Sequence, residues 1–181
     1  ILNSKDYETD EEEIAGAAES GLIFLPYLMG ERSPHNDVNA KGCFIGLTAT
    51  TTRAQMSKAV MEGVAFALRD CLEAAKENGI TPGYTNLCGG GAKSKTWRQN
   101  IADALNLPVH VLETEQGPAY GAAVLAIVGC GEYADVKEAA DRIVRVREEI
   151  RPNPIAVERY NKKYGIYKRL YPALKEIFSL L

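Results

Sequence analysis

The chain has 181 residues, 46% of them hydrophobic and 25% charged, and a formal net charge of −3. This suffices for one sizeable core and excludes a broad nucleic-acid surface, which would need clustered Lys and Arg. It also excludes a spanning helix, because no run approaches the roughly 20 apolar residues a bilayer requires.

The first 20 residues are acidic, and Thr9-Asp10-Glu11-Glu12 predicts a capping box opening a short helix that ends before Gly21. Leu22-Ile23-Phe24-Leu25 reads as a buried strand stopped by Pro26. A loop from Gly30 to Gly42 follows, dense in turn residues and carrying Glu31, Arg32 and His35. Such loops often carry function; an internal Glu31–Arg32 ion pair that shapes the loop and a direct part in catalysis both stay open. Cys43 to Leu47 reads as a short strand.

Arg53 to Asn78 is the clearest helix: Met56, Val60, Val64, Ala67, Cys71 and Ala75 recur every three or four residues, and Gly79 supplies the C-terminal cap. Glu62 and Gly63 interrupt its apolar face. Gly63 is expected to permit close packing; Glu62 is expected to pack too, with a backbone or Arg partner or facing solvent as the alternatives.

After the turn Thr81-Pro82-Gly83 comes Leu87-Cys88-Gly89-Gly90-Gly91-Ala92-Lys93-Ser94, which separates a short apolar run from a helix over Ser94 to Leu105. Asn106-Leu107-Pro108 leads into a strand over Val109 to Leu112. Strand, helix and strand at this spacing predict a parallel, right-handed crossover, with His110 on the opposite sheet face from Val109 and Val111 and without chemistry. A helix rich in small residues begins at Gln116-Gly117-Pro118, with proline near its first turn. A charged helix covers Val136 to Val144. A last one runs from Pro154 to Leu181, started by Asn153 and bent at Pro172, with Tyr160, Tyr164, Tyr167, Leu170, Tyr171, Leu174 and Phe178 along one side as packing.

Cys43, Cys71, Cys88 and Cys130 are widely spaced without a Cys-x-x-Cys pair, so they read as reduced core residues. With only His35 and His110 beside them, no metal site is suggested. The start, Ile1-Leu2-Asn3-Ser4-Lys5-Asp6, lacks the regions of a secretion signal, so the location expected is cytoplasmic. The absence of an initiating Met is the mark expected of a piece of a longer chain.

The chemistry centres on Gly89 to Lys95. Glycines let the main chain approach a ligand closely, and the free N–H groups of the following helix favour negative charge. A tight turn without a ligand and a phosphate cradle are both compatible with three glycines alone. A second binding chemistry also competes: Gly89-Gly90-Gly91-Ala92-Lys93-Ser94 nearly fits Gly-x-Gly-x-x-Gly, and Glu113 lies about 20 residues further on, as in dinucleotide-binding oxidoreductases. Ser94 breaks that pattern, and the element does not open the domain.

Four stretches together resemble the carboxyl-terminal domain of the FGGY carbohydrate kinases. Leu25 to His35 is similar to the Gly-Glu-Arg-Thr-Pro-His loop of the members that phosphorylate xylulose, with Ser33 in place of Thr. Gly42, Phe44, Gly46 and Leu47, then Gln55, Met56, Ala59, Val60, Met61 and Glu62, resemble the family's second signature. Gly89 to Ser94 with Trp97, Gln99, Ala102 and Asp103 resembles its adenine-nucleotide loop, and Gly121-Ala122-Ala123 its small-residue helix.

The resemblance implies an α/β, ribonuclease H-like domain of the actin and hexokinase type, the second of two, lacking its first strands. Residues 1–181 would then be a carboxyl-terminal nucleotide-binding domain whose amino-terminal, sugar-binding partner is absent. It implies transfer of the γ-phosphate of ATP, with Mg2+, to D-xylulose to give D-xylulose 5-phosphate; gluconate, ribulose or glycerol kinases share much of the pattern. Gly89, Gly90, Gly91 and Ala92 would pass against the nucleotide, with Ser94 and Lys95 flanking its ribose or phosphates and Lys93 either a phosphate contact or solvent-facing. No catalytic base falls in this stretch: Asp37, Asp70 and Asp103 do not match its position, and the isolated chain is expected to be inactive. The sugar is the small-molecule partner, reached through the absent domain, and a homodimer is allowed. A third reading is a non-catalytic module that uses the Tyr-rich last helix for partner contacts.

Overall fold

The structure is a computed structural model and describes residues 7–114 and 117–181. Helix α1 (Tyr7–Gly16) leads to strand β1 (Ile23–Leu25), which pairs antiparallel with β2 (Cys43–Ile45). The capping box expected at Thr9 does not cap the helix: the described part of α1 already includes Tyr7 and Glu8, so Thr9 lies inside it. Acidic residues favour the whole first turn, which lets the helix begin upstream of the apparent cap. Gly46, at φ +95°, ends β2 before Leu47.

Helix α2 (Arg53–Glu77) is capped as its sequence asks, with Thr52 and Gln55 closing a reciprocal capping box and Asn78 as C-cap before Gly79 at φ +82°. Gly63 sits where α2 crosses β1, and a methyl group built on it would lie 2.2 Å from the Phe24 carbonyl oxygen. Glycine is required there by the approach of another backbone.

Strand β3 (Thr85–Leu87) ends at the glycine element; helix α3 (Lys95–Leu105) returns the chain to β4 (Val109–Leu112), parallel to β3. Asn106, in the left-handed region at φ 48°, makes the turn. Helices α4 (Gly117–Gly129) and α5 (Val136–Ile143) precede β5 (Val146–Ile150), which pairs antiparallel with β4. Gln116, expected in the start of α4, lies outside the described residues. Helix α6 (Pro154–Phe178), N-capped by Asn153, runs on through Pro172.

The architecture is α/β: a β1–β2 pair and a β3–β4–β5 sheet, with α2, α3 and α6 packed around one core. Leu25, Ala65, Phe66, Ala102 and Val109 are fully buried there; burying a large apolar side chain contributes roughly 1.5–3 kcal/mol. The tyrosine side of α6 is packing. Tyr160, Tyr164, Tyr167 and Tyr171 are buried, and Phe66 of α2 meets the first three at ring-centroid distances of 5.7, 5.8 and 5.3 Å. A partner-docking role for those rings is therefore excluded by their burial.

Two sequence expectations fail on packing grounds. Cys43 and Cys71 are half-buried, but Cys88 and Cys130 are exposed, because each falls in the chain just after an element ends. Glu31 and Arg32 form no ion pair among the described residues; the Glu31 carboxylate accepts the Ser33 N–H at 3.0 Å instead, within a loop closed by paired Glu31 and Asp37 backbones. No described helix is long and apolar enough to cross a membrane.

Candidate nucleotide site

The glycine element is a strand end, a break and a helix start. Gly89 takes φ +88°, a conformation that costs glycine nothing and other residues considerably. Gly90–Lys93 then forms a single 3-10 turn that the sequence did not announce, and Ser94 begins α3, its hydroxyl oxygen accepting the Trp97 N–H at 3.1 Å. The turn leaves Gly89 and Gly90 exposed, with nothing within 4 Å of where a side chain would start.

Gly91 is different. A methyl group there would come within 3.3 Å of the Trp97 ring, whose indole N–H is fixed to the Met61 carbonyl of α2 at 3.1 Å. Ala92 is buried, while Lys93 and Lys95 are exposed. On the far side, α4 comes so close that a methyl on Gly117 would lie 2.8 Å from the Cys88 sulfur. In α4 only Val124 is buried, and Gly121, Ala122 and Ala123 are exposed. The structure thus brings together bare main chain at Gly89 and Gly90, one indole ring and a helix of small residues.

Ser94 is already engaged. Its hydroxyl donates to Glu11 Oε1 of α1 at 2.8 Å, and the same oxygen accepts the Thr96 N–H at 2.7 Å. Burial works against the Glu11 charge, but these hydrogen bonds from Thr96 and Ser94 outweigh it and hold the carboxyl below its ordinary value. A protein carboxylate therefore occupies the positive end of the α3 dipole. In the sequence Glu11 reads only as part of the capping box expected at Thr9, and nothing local signals its partner 83 residues away.

The three aspartates set aside in the sequence have structural partners. Asp70 accepts the Tyr164 hydroxyl at 2.5 Å, Asp37 accepts that of Tyr171 at 2.8 Å, and Asp103 accepts the Asn153 N–H at 2.7 Å and the Gln99 amide at 2.9 Å. Burial raises the Asp70 and Asp103 carboxyls against the pull of those bonds. Two hollows, about 590 Å3 beside Arg69 and Tyr164 and about 340 Å3 beside Lys58 and Arg159, do not include the glycine element. Among the described residues no three His, Cys, Asp or Glu side chains converge on a metal position. His110 faces away from the core, stacked on Tyr84 and 3.2 Å from Glu149.

An α/β domain that exposes glycine main chain at a strand-to-helix turn has the elements of a nucleotide-binding protein. The chain belongs to the FGGY family of carbohydrate kinases: the sequence model of that family's C-terminal domain matches residues 3–130, which include every element from α1 through the small-residue helix α4. It is 38% identical to a xylulose kinase of Bacillus subtilis over 90% of its own length and 32% of that protein's. In three dimensions it is similar to a ligand-bound xylulose kinase of Lactobacillus acidophilus, at a TM-score of 0.84 and 33% identity, covering 94% of this chain and 35% of that one. A gluconate kinase of the same organism is nearly as similar, at 0.83 and 32%, over 96% of this chain and 36% of that one. The chain spans about a third of the length of these relatives. Family membership sets aside the dinucleotide-binding alternative built on Glu113, which is an exposed residue following β4.

Proposed function

We propose that this chain is the nucleotide-binding part of a kinase that transfers the γ-phosphate of ATP to D-xylulose, giving D-xylulose 5-phosphate, on a domain of the ribonuclease H-like, actin and hexokinase type. The observation that carries the reading is the uncovered main chain of Gly89 and Gly90, where a side chain would meet nothing and a planar, charged ligand can lie directly on the backbone. The kinship with xylulose kinases supplies the chemistry and the sugar. Gluconate is the competing sugar, because a gluconate kinase is almost equally similar in structure.

In this reading Gly89, Gly90, Gly91 and Ala92 form the wall against the nucleotide and Gly117 the opposite one. Lys95, exposed at the start of α3, is the cation placed to reach the phosphates or ribose. Ser94 shapes the helix start, since its hydroxyl is already committed to Glu11 and Trp97. Mg2+ bound to the phosphates would neutralise charge during transfer, where positioning and electrostatics supply most of the catalysis. The catalytic base belongs to the remainder of the enzyme, which makes the isolated chain a binder.

The chain's single tryptophan, Trp97, packs beside the loop and reports on it. Titration with ATP or ADP should give a saturable change in its emission, and Gly90→Glu should abolish that change while the melting temperature stays within a few degrees. Gly90 is the better probe than Gly91, where any side chain also displaces Trp97. A wild-type chain that answers neither nucleotide at millimolar concentration refutes the proposal. Joined to the rest of the enzyme, the domain should support phosphorylation of xylulose in preference to gluconate.

A further inference from the structure

We infer that Glu11 is a positioning residue for the nucleotide loop; the inference rests on the proposed nucleotide site and adds a residue to it. Helix α1 precedes the glycine element by more than 70 residues, yet one oxygen of Glu11 holds both the hydroxyl of Ser94 and the main-chain N–H of Thr96. Ser94 passes this constraint on, because its oxygen accepts the Trp97 N–H. The Trp97 ring in turn packs where a side chain on Gly91 would stand and is tied to α2 through Met61. Glu11, Ser94, Trp97 and Gly91 therefore form a chain of contacts that ends at the ligand-facing backbone.

The other end of that chain is anchored. Ile14, one turn further along α1, is buried, and the Lys58 ammonium of α2 donates to the Ala17 carbonyl at 3.0 Å. Glu11 is thus held by a fixed helix. Charge-assisted hydrogen bonds to main chain are stronger than neutral ones, so the carboxylate fixes the start of α3 more firmly than a serine cap alone. It also fills the positive end of the α3 dipole, which directs nucleotide phosphates toward Lys95 and away from the helix axis. The contact strengthens binding by holding the loop in its receptive shape, and no atom of Glu11 needs to touch the ligand.

Hydrogen exchange and nucleotide titration on the whole chain test this with Glu11→Ala and Glu11→Gln. Glu11→Ala should speed exchange of the Gly90 to Trp97 amides about tenfold and weaken ATP and ADP binding by a similar factor, one decade per 1.4 kcal/mol lost. Exchange in the middle of α2 and α6 should be unchanged. Glu11→Gln keeps an oxygen in place and should recover most of both losses, a rescue that general destabilisation would not produce. Unchanged exchange in Glu11→Ala overturns the inference, and so does tighter ATP binding in Glu11→Gln, which would make the carboxylate an obstacle. A wild type that binds no nucleotide refutes the proposed site separately, and the exchange measurement still decides whether Glu11 orders the loop.

Discussion

The tyrosine side of α6 and the glycine loop lie in one small domain and are built on opposite rules. Around α6 the main chain is hidden behind interlocked rings and hydroxyls: Tyr27 and Tyr167 share a hydrogen bond at 3.1 Å, and His35 stacks on Tyr171 with centroids 3.8 Å apart. At the loop, side chains are withheld and the main chain of Gly89 and Gly90 is bare. The difference shows where glycine serves the fold and where it serves a ligand. Gly63 is needed because protein already fills the space beside it, whereas Gly90 is needed only if something from outside comes to fill it.

Large effects should therefore come where protein already fills the space, and first at the buried glycine. Gly63→Ala places a methyl against the Phe24 carbonyl, backbone against backbone, and should cost at least about 3 kcal/mol in urea unfolding. Next comes the pair Glu62–Lys163, which joins α2 to α6 at 2.5 Å with Glu62 only 2% exposed. Lys163→Met strands that carboxylate and should cost about 3–5 kcal/mol, most of it regained in the double variant with Glu62→Met. Smallest should be Gly90→Ala, within about 0.5 kcal/mol of wild type. A loss there as large as at Gly63 would break the comparison, because Gly90 would then be structural.

What could be read from the sequence followed the range of the forces involved. Helix α2 declared itself by apolar period and by Gly79, while its capping box of Thr52 and Gln55 emerged with the fold; the β3–α3–β4 unit declared itself by its glycines and by Asn106. Strand β5 did not, since four of the five residues of Val146–Ile150 are exposed and its pairing with β4 leaves no apolar pattern in the sequence. An edge strand without an inward face has no alternation to read. Lys163 as the partner of Glu62 and Glu11 as the partner of Ser94 were equally hidden, because contacts across 101 and 83 residues leave no local pattern. At the site, the glycines were legible as bare main chain, but the ring of Trp97 beside them and the closeness of Gly117 to Cys88 are products of the fold.

The loop from Gly30 to Gly42 receives its final shape from a helix more than 100 residues further along the chain. Tyr167 and Tyr171 stand 140 and 134 residues after their partners Tyr27 and Asp37. On the ribosome the loop emerges before α6 and stays unfastened until that helix has cleared the exit tunnel. The loop is thus set only after α6 has been made, and premature termination before α6 would leave it without its clasp.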